Sequence, residues 1–324
     1  MAVTPQSRPR GAAINLKNRL KIGDWIFTGL TGAAALLAVA VILGVFYELT
    51  IESWDAIRHS GLGFIYDSTW DPGKAVFGAW PFILGTFITS AVALVFATVI
   101  AVLVALFLVE IAPGWLSRPV SYLVELLAAI PSVVYGLWGV FVKGVFIRDH
   151  LGPVLVTTLG WIPFFDGKPG INGLFSGCII LTIMILPTVM AVSRDVIAAV
   201  PGSQREGITA LGATRWEMIR LAVLPYARSG ILGAAILGLA RAVGETLAVT
   251  LVIGNSVRIP DNIFAPAYTM ASVIANQFNE ATGLHRSALF EVALLLLVIT
   301  FIINVIARLL VWRVTKGQRV VVQE

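Results

Sequence analysis

Few residues in this chain can carry bond chemistry. There is one cysteine, Cys178, inside an apolar run, so no intrachain disulfide is available and packing is its expected role. The three histidines, His59, His150 and His285, show no metal-ligand spacing, and neither a metal nor a cofactor is expected. No Gly-x-x-x-x-Gly-Lys-Ser/Thr stretch occurs, which excludes an ATP site of the P-loop kind. Charge is scarce as well, at 13% of residues. A soluble fold of 324 residues cannot hide the 58% that are hydrophobic, so the expected class is an all-α integral membrane protein. The net charge of +5 does not point to nucleic acid, because the basic residues flank the apolar runs.

What is present is a series of long apolar runs. Ile26–Tyr47 has 22 residues, enough to cross a bilayer, which needs about 20. Its length and its long basic flank distinguish it from a cleaved signal peptide. Six transmembrane helices are expected, near residues 26–48, 81–110, 121–142, 172–193, 229–253 and 287–312. Pro131 followed by Ser132 predicts a kink in the third. Residues 151–165 are apolar but short, interrupted by Gly152, Pro153, Gly160 and Pro163, and suit an interfacial or re-entrant segment. The plan is a tail at 1–25, a transmembrane domain over 26–312 and a tail at 313–324, with no soluble domain and no clear internal repeat. The polar stretches 49–79 and 254–286 are expected outside the membrane, with Trp54, Trp70, Trp80 and Trp161 at its boundary. Six spans put both termini on one side. That side carries 15 lysines and arginines against 7 opposite, which makes both termini cytoplasmic.

The organising stretch is the polar island Pro201–Pro225, within the loop 194–228. Its pattern predicts two short helices meeting at Gly212. Ser203 with Glu206 has capping-box spacing, and Thr214 with Glu217 repeats it. Trp216, Ile219 and Val223 share one apolar face of the second helix, and Pro225 is expected to close the unit. Such a pair suits another protein's groove or the membrane surface.

Two charges stand inside the fifth span. Arg241 is 13 residues past Arg228, hence about 20 Å deep, and Glu245 follows four residues later on the same face. A charge at the bilayer centre costs roughly 2.5–3.5 kcal/mol on insertion scales, so it faces a cavity, a partner or another charge. One reading is a structural ion pair. The other is a pathway, in which the guanidinium fork holds a tetrahedral oxyanion and Glu245 keeps the site weak enough to release it. Small residues at Ala240, Gly244 and Ala248, and at Ala234 and Gly238, place this span at the centre of the bundle. Glu125, in the third span, is a further embedded acid with Arg241 or a partner subunit as its candidate counter-charge. Glu110 is expected at the membrane interface.

The island resembles the cytoplasmic coupling loop of bacterial ABC importer permeases. The likeness rests on Glu206, Gly207 and Ile208, then Gly212, then Ala222, Leu224 and Pro225; Gly207 and Ile208 stand where the family has two alanines. Three stretches narrow the resemblance to the phosphate-specific permeases called PstC. They are Gly61–Phe64 with Trp70–Pro72 and Pro81–Thr86; Glu125–Gly139; and Ala240–Thr246 leading to Ile253–Asn255. The resemblance implies a type I importer permease fold and no bond chemistry on this chain. It implies a second permease of the PstA type, a cytoplasmic ATPase dimer of the PstB type and an extracytoplasmic phosphate-binding protein of the PstS type. It places Arg241 and Glu245 in phosphate passage, with Glu125 a further candidate. The coupling surface maps to Glu206, Gly207, Gly212, Thr214, Trp216, Leu224 and Pro225. Alternatives are a permease for molybdate, sulfate or phosphonate, an ion-driven secondary carrier and a non-transporting sensor. Secondary carriers often show inverted repeats and broken helices, and the sequence shows neither.

Overall fold

The computed structural model describes residues 11–316 and the side chains of 23–313. Arg8, Arg10 and Arg319 of the expected basic tails lie outside the described residues, as do the side chains of Lys17, Arg19, Lys21 and Lys316. The chain divides into two units, one through Glu52 and one from Ser53. The first holds α1 (Gly11–Glu52), whose stretch Gly23–Glu52 is long and apolar enough to cross a membrane.

The second unit opens with α2 (Trp54–Ser60), α3 (Gly63–Tyr66) and a small antiparallel ribbon, β1 (Trp70–Asp71) against β2 (Val76–Phe77). Asp71 closes the ribbon's turn by accepting from the backbone N–H of Gly73 at 3.0 Å and of Lys74 at 3.3 Å. Trp70 is buried here, its ring edge-on to Phe77 and Phe82 with centroids 5.0 Å away in each case. The boundary position expected for Trp70 is therefore corrected. Its indole N–H reaches Gln277 Oε1 at 2.9 Å, which meets the one polar need that burial creates. Trp161, by contrast, is 80% exposed.

Helix α4 (Trp80–Leu106) ends in a wide, π-helical turn at Phe107–Ile111. Then come α5 (Gly114–Ala129) and α6 (Ser132–Trp138). Helical backbone continues from α6 through two more wide turns, Gly139–Gly144 and Ile147–Leu151, into α7 (Gly152–Leu159). The kink expected at Pro131 within the span 121–142 is present and sharp: the segment is built of Gly114–Ala129 and Ser132–Leu159, bent by 94°. Pro131 accounts for the break, because its ring cannot continue α5 and forces Ile130 to extended backbone. The segment 151–165 is not a separate piece, since its first part completes this long helix.

After α8 (Leu174–Ala198) come α9 (Gly202–Ala210), α10 (Arg215–Met218), a wide turn at Ile219–Val223, α11 (Leu224–Val243) and α12 (Leu247–Val252). Helices α13 (Met270–Gln277) and α14 (Gly283–Lys316) complete the chain. Among the described residues five helices are long and apolar enough to cross a membrane, and six if the bent pair is one span.

Helix α8, not the fifth span, is the most enclosed. Its most apolar stretch is 56% buried, against 28% for Arg215–Val243. It packs along α4 and α11, and Cys178 is buried within it. In the fifth span the small residues Ala234, Gly238 and Ala248 are buried, and a Cβ on Gly238 would lie 2.6 Å from Val189 of α8. The polar segments 53–79 and 254–282 join one apolar cluster at one end of the bundle, through Phe64, Trp70, Phe82, Tyr268, Met270 and Leu289. A second cluster, with Leu108, Val189, Ile197, Met218, Ile219 and Val223, holds the other end.

Candidate functional site

Two regions hold the residues singled out above. The first is the segment joining α8 to α11. Pro201, with extended backbone, starts α9 at Gly202. That places Ser203 inside the first turn, where its hydroxyl cannot cap, and the expected Ser203–Glu206 box does not form. The box at Thr214 does form. Glu217 N–H meets Thr214 Oγ1 at 3.4 Å, and Glu217 Oε2 accepts from Thr214 N–H at 2.8 Å. Gly212 turns the chain between the two helices at φ +84°, a backbone conformation that any side chain would strain. Pro225 does not close the unit. Helix runs without interruption from Arg215 to Val243, and the wide turn at Ile219–Val223 makes room for the proline ring just after it. The loop is therefore shorter than 194–228, since α8 reaches Ala198 and helix resumes at Arg215.

Ile219 and Val223 pack inside the bundle, so the apolar face expected to include them is divided. What the segment presents outward is Leu211, 85% exposed, and Trp216, 64% exposed, on either side of Gly212. Glu206, Gly207, Thr214 and Pro225 are exposed with them, while Leu224 is half-buried against the bundle. The sequence reading missed Leu211. It also missed Arg205, whose guanidinium pairs with Glu110 Oε1 at 2.9 Å and donates to Ile197 O at 2.9 Å and to Val200 O. A basic residue three positions from a helix start was the only local signal. Glu125 pairs with Arg194 at 3.0 Å, not with Arg241.

The second region is the break in the fifth span. Arg241 and Glu245 do not share a helical face, because α11 ends at Val243 and α12 begins at Leu247. They form no ion pair with each other. Arg241, half-buried in the last turn of α11, donates to Thr188 Oγ1 of α8 at 3.0 Å. Glu245 Oε1 accepts from Ala248 N–H at 3.2 Å, and the Thr246 hydroxyl donates to Gly244 O at 3.2 Å. These two side chains satisfy backbone groups that the break sets free. Non-helical backbone at membrane depth is tolerated only within protein or along a water-filled cavity. A guanidinium with one hydroxyl partner retains donors for a ligand.

Helices α6 and α12, each just after a break, pack on each other. A Cβ added to Gly136 would lie 3.1 Å from Ala248 Cα and 2.6 Å from Leu251 Cδ1, so α6 approaches α12 closely there. The Tyr135 hydroxyl donates to Leu127 O at 2.8 Å, a carbonyl at the end of α5 that also accepts from Ile130 N–H at 3.3 Å, and so ties α6 to α5 across the bend. Both elements of the Glu125–Gly139 stretch thus serve the broken geometry. The kink expected at Pro131 is a full break, and the break between α11 and α12 was not expected.

Comparison with known proteins agrees with this architecture. The family model described as binding-protein-dependent transport system inner membrane component matches residues 97–316. The phosphate transport system permease protein PstC of Haemophilus influenzae is 44% identical over 299 residues, covering 90% of this chain and 95% of that protein. The protein of the same name from Pasteurella multocida is 42% identical over 307 residues, covering 93% and 96%. Among solved structures, a bacterial ABC transporter involved in import of the acidic polysaccharide alginate covers 90% of this chain and 99% of its own, at TM-score 0.53 and 18% identity. The MetNI methionine ABC transporter, in an inward-facing conformation, covers 72% and 96%, at 0.52 and 20%. These two show the fold alone. A chain of apolar helices with a capped, outward-facing segment between its fourth and fifth spans belongs to the binding-protein-dependent transport system inner membrane components, multi-pass proteins of the cytoplasmic membrane, and within them to the PstC permeases.

Proposed function

We propose that this chain is the permease subunit of an ABC importer that carries inorganic phosphate into the cell. The observation that carries the reading is Arg241, a membrane-depth guanidinium with spare donors at the end of a broken helix. The extensive likeness to proteins named phosphate permeases supports the substrate. The second permease is of the PstA type, the ATPase dimer of the PstB type and the binding protein of the PstS type. Both termini and residues 199–214 face the cytoplasm, in keeping with the excess of basic residues on that side.

In this reading the binding protein delivers phosphate from outside, and two or more guanidinium N–H groups of Arg241 receive its oxygens. Glu245 holds the break open through Ala248 and places a negative charge near the site, which keeps phosphate from being held too tightly. Glu125, through Arg194, ties α5 to the end of α8 and acts on the pathway by position. The ATPase engages Leu211, Gly212 and Trp216, together with the exposed Glu206, Gly207, Thr214 and Pro225. Closure of the ATPase dimer moves α9 and α10, and the continuous helix from Arg215 to Val243 carries that motion to Arg241. Radiolabelled phosphate uptake tests the reading, in cells lacking their own high-affinity system and supplied with the complete transporter. Competition by arsenate and loss of uptake in Arg241→Ala are expected. Competition by sulfate or molybdate instead would overturn phosphate as the substrate.

A further inference from the structure

Helix α9 has no buried residue, and its apolar hold on the bundle is the half-buried Ile208. Its polar hold among the described residues is Arg205 alone. That side chain reaches three elements at once. Nη2 and Nε contact Glu110 Oε1 at 2.9 and 3.1 Å; Nη2 also donates to Ile197 O at 2.9 Å, and Nη1 donates to Val200 O. Ile197 O lies in the last turn of α8 and also accepts from Val200 N–H at 3.2 Å, and Val200 stands two residues past the helix end. A cation there also complements the negative end of the α8 dipole. Glu110 lies in the wide turn that ends the second span, and only 6% of its side chain is exposed. Arg205 and Glu110 are 95 positions apart in sequence, and the pair joins the second span, the fourth span and α9.

We propose that the Arg205–Glu110 pair is the strut that makes α9 move as one body with the second and fourth spans when the ATPase closes. It rests on the coupling role given above to α9, Gly212 and α10. The physical argument is one of attachment. A helix held by one half-buried isoleucine can slide on the bundle, so a push on it would be absorbed locally. A planar guanidinium fixed by a carboxylate and two carbonyls resists displacement in its own plane. The wide turn carrying Glu110 is a place where helix geometry can adjust without losing the contact. Arg205 and Glu110 are positioning residues in this scheme, acting through the elements they join and not on phosphate.

The test is phosphate transported per ATP hydrolysed, measured in proteoliposomes holding the complete transporter with saturating binding protein. A variant that merely destabilises the protein lowers uptake and hydrolysis together and leaves this ratio unchanged. The expected result is a ratio at least tenfold below wild type in Arg205→Gln and in Glu110→Gln. The double variant should fall no further than the worse single, because the two residues act as one unit. Arg205→Lys, which keeps the charge and loses the fork, should recover part of the ratio. Ratios within twofold of wild type in both singles, or a double that loses the product of the two, would overturn the strut. If Arg205→Gln yields no complex, Glu110→Asp decides: it keeps the buried charge and withdraws it from Arg205, so an unchanged ratio overturns the proposal and a lowered one supports it. Failure of the underlying reading shows separately, as wild-type transporter that takes up another oxyanion; the same ratio for that ion then decides the strut.

Discussion

The segment between α8 and α11 and the break between α11 and α12 are both interruptions of helix, yet they are built by opposite means. The first is stabilised by local chemistry: an extended Pro201, a positive φ at Gly212 and a capping box at Thr214. Its determinants lie within a few residues of their effects. The second has no proline. Its free backbone groups are met by Glu245 and Thr246, and its geometry depends on α6 pressing against α12 at Gly136. The lesson is that the connector is specified by neighbours in sequence, whereas the break between α11 and α12 combines local partners with a neighbour in space, α6.

The comparison can be broken most sharply at Arg241. Arg241→Ala removes charge-assisted hydrogen bonds of about 1.5–3 kcal/mol, so phosphate uptake should fall roughly 10–100-fold. Uptake at the wild-type rate would place the pathway elsewhere. Next in size is Gly212→Leu, which forces a bulky residue to φ +84° at a cost of about 1–3 kcal/mol. The hydrolysis-to-uptake coupling should be lost while phosphate binding at Arg241 is kept; normal uptake would count strongly against the coupling role. Thr214→Ala removes one cap, about 1 kcal/mol. Faster hydrogen exchange confined to residues 214–218 is expected, and a global loss of stability would show that the segment is not held locally. The smallest change in stability is expected for Glu245→Gln, whose amide oxygen still accepts from Ala248. Its effect should appear in transport kinetics, with release slowed more than binding; identical kinetics would remove the acid from the pathway.

The same contrast explains what the sequence made legible. Six apolar spans could be counted because hydropathy is a local property, and Pro131 marked a break because a proline acts on its own backbone. Thr214 and Glu217 were found by spacing, and the same spacing misled at Ser203 because Pro201 had already set the start of α9. Arg241 and Glu245 stood out as charges within an apolar run, but their i, i+4 relation presumed a helix that ends between them. Trp70 was misplaced because its partners Phe82 and Gln277 lie elsewhere in the chain, the second 207 positions away. The Arg205–Glu110 contact left no pattern at all, since each residue taken alone is an ordinary charge near a helix end.

The wide turn at Ile219–Val223 has a further consequence. A π-helical turn holds one more residue than an α-helical turn would, and each residue rotates the helix by about 100°. It therefore sets the angular phase between the exposed face at Trp216 and the guanidinium at Arg241, as a gear tooth sets the phase between two wheels on one shaft. Loss or gain of a single residue in this turn would leave composition, hydropathy and both motifs nearly intact and still aim the arm that carries Trp216 in a different direction. The length of those five residues is as much a part of the transporter as their identity.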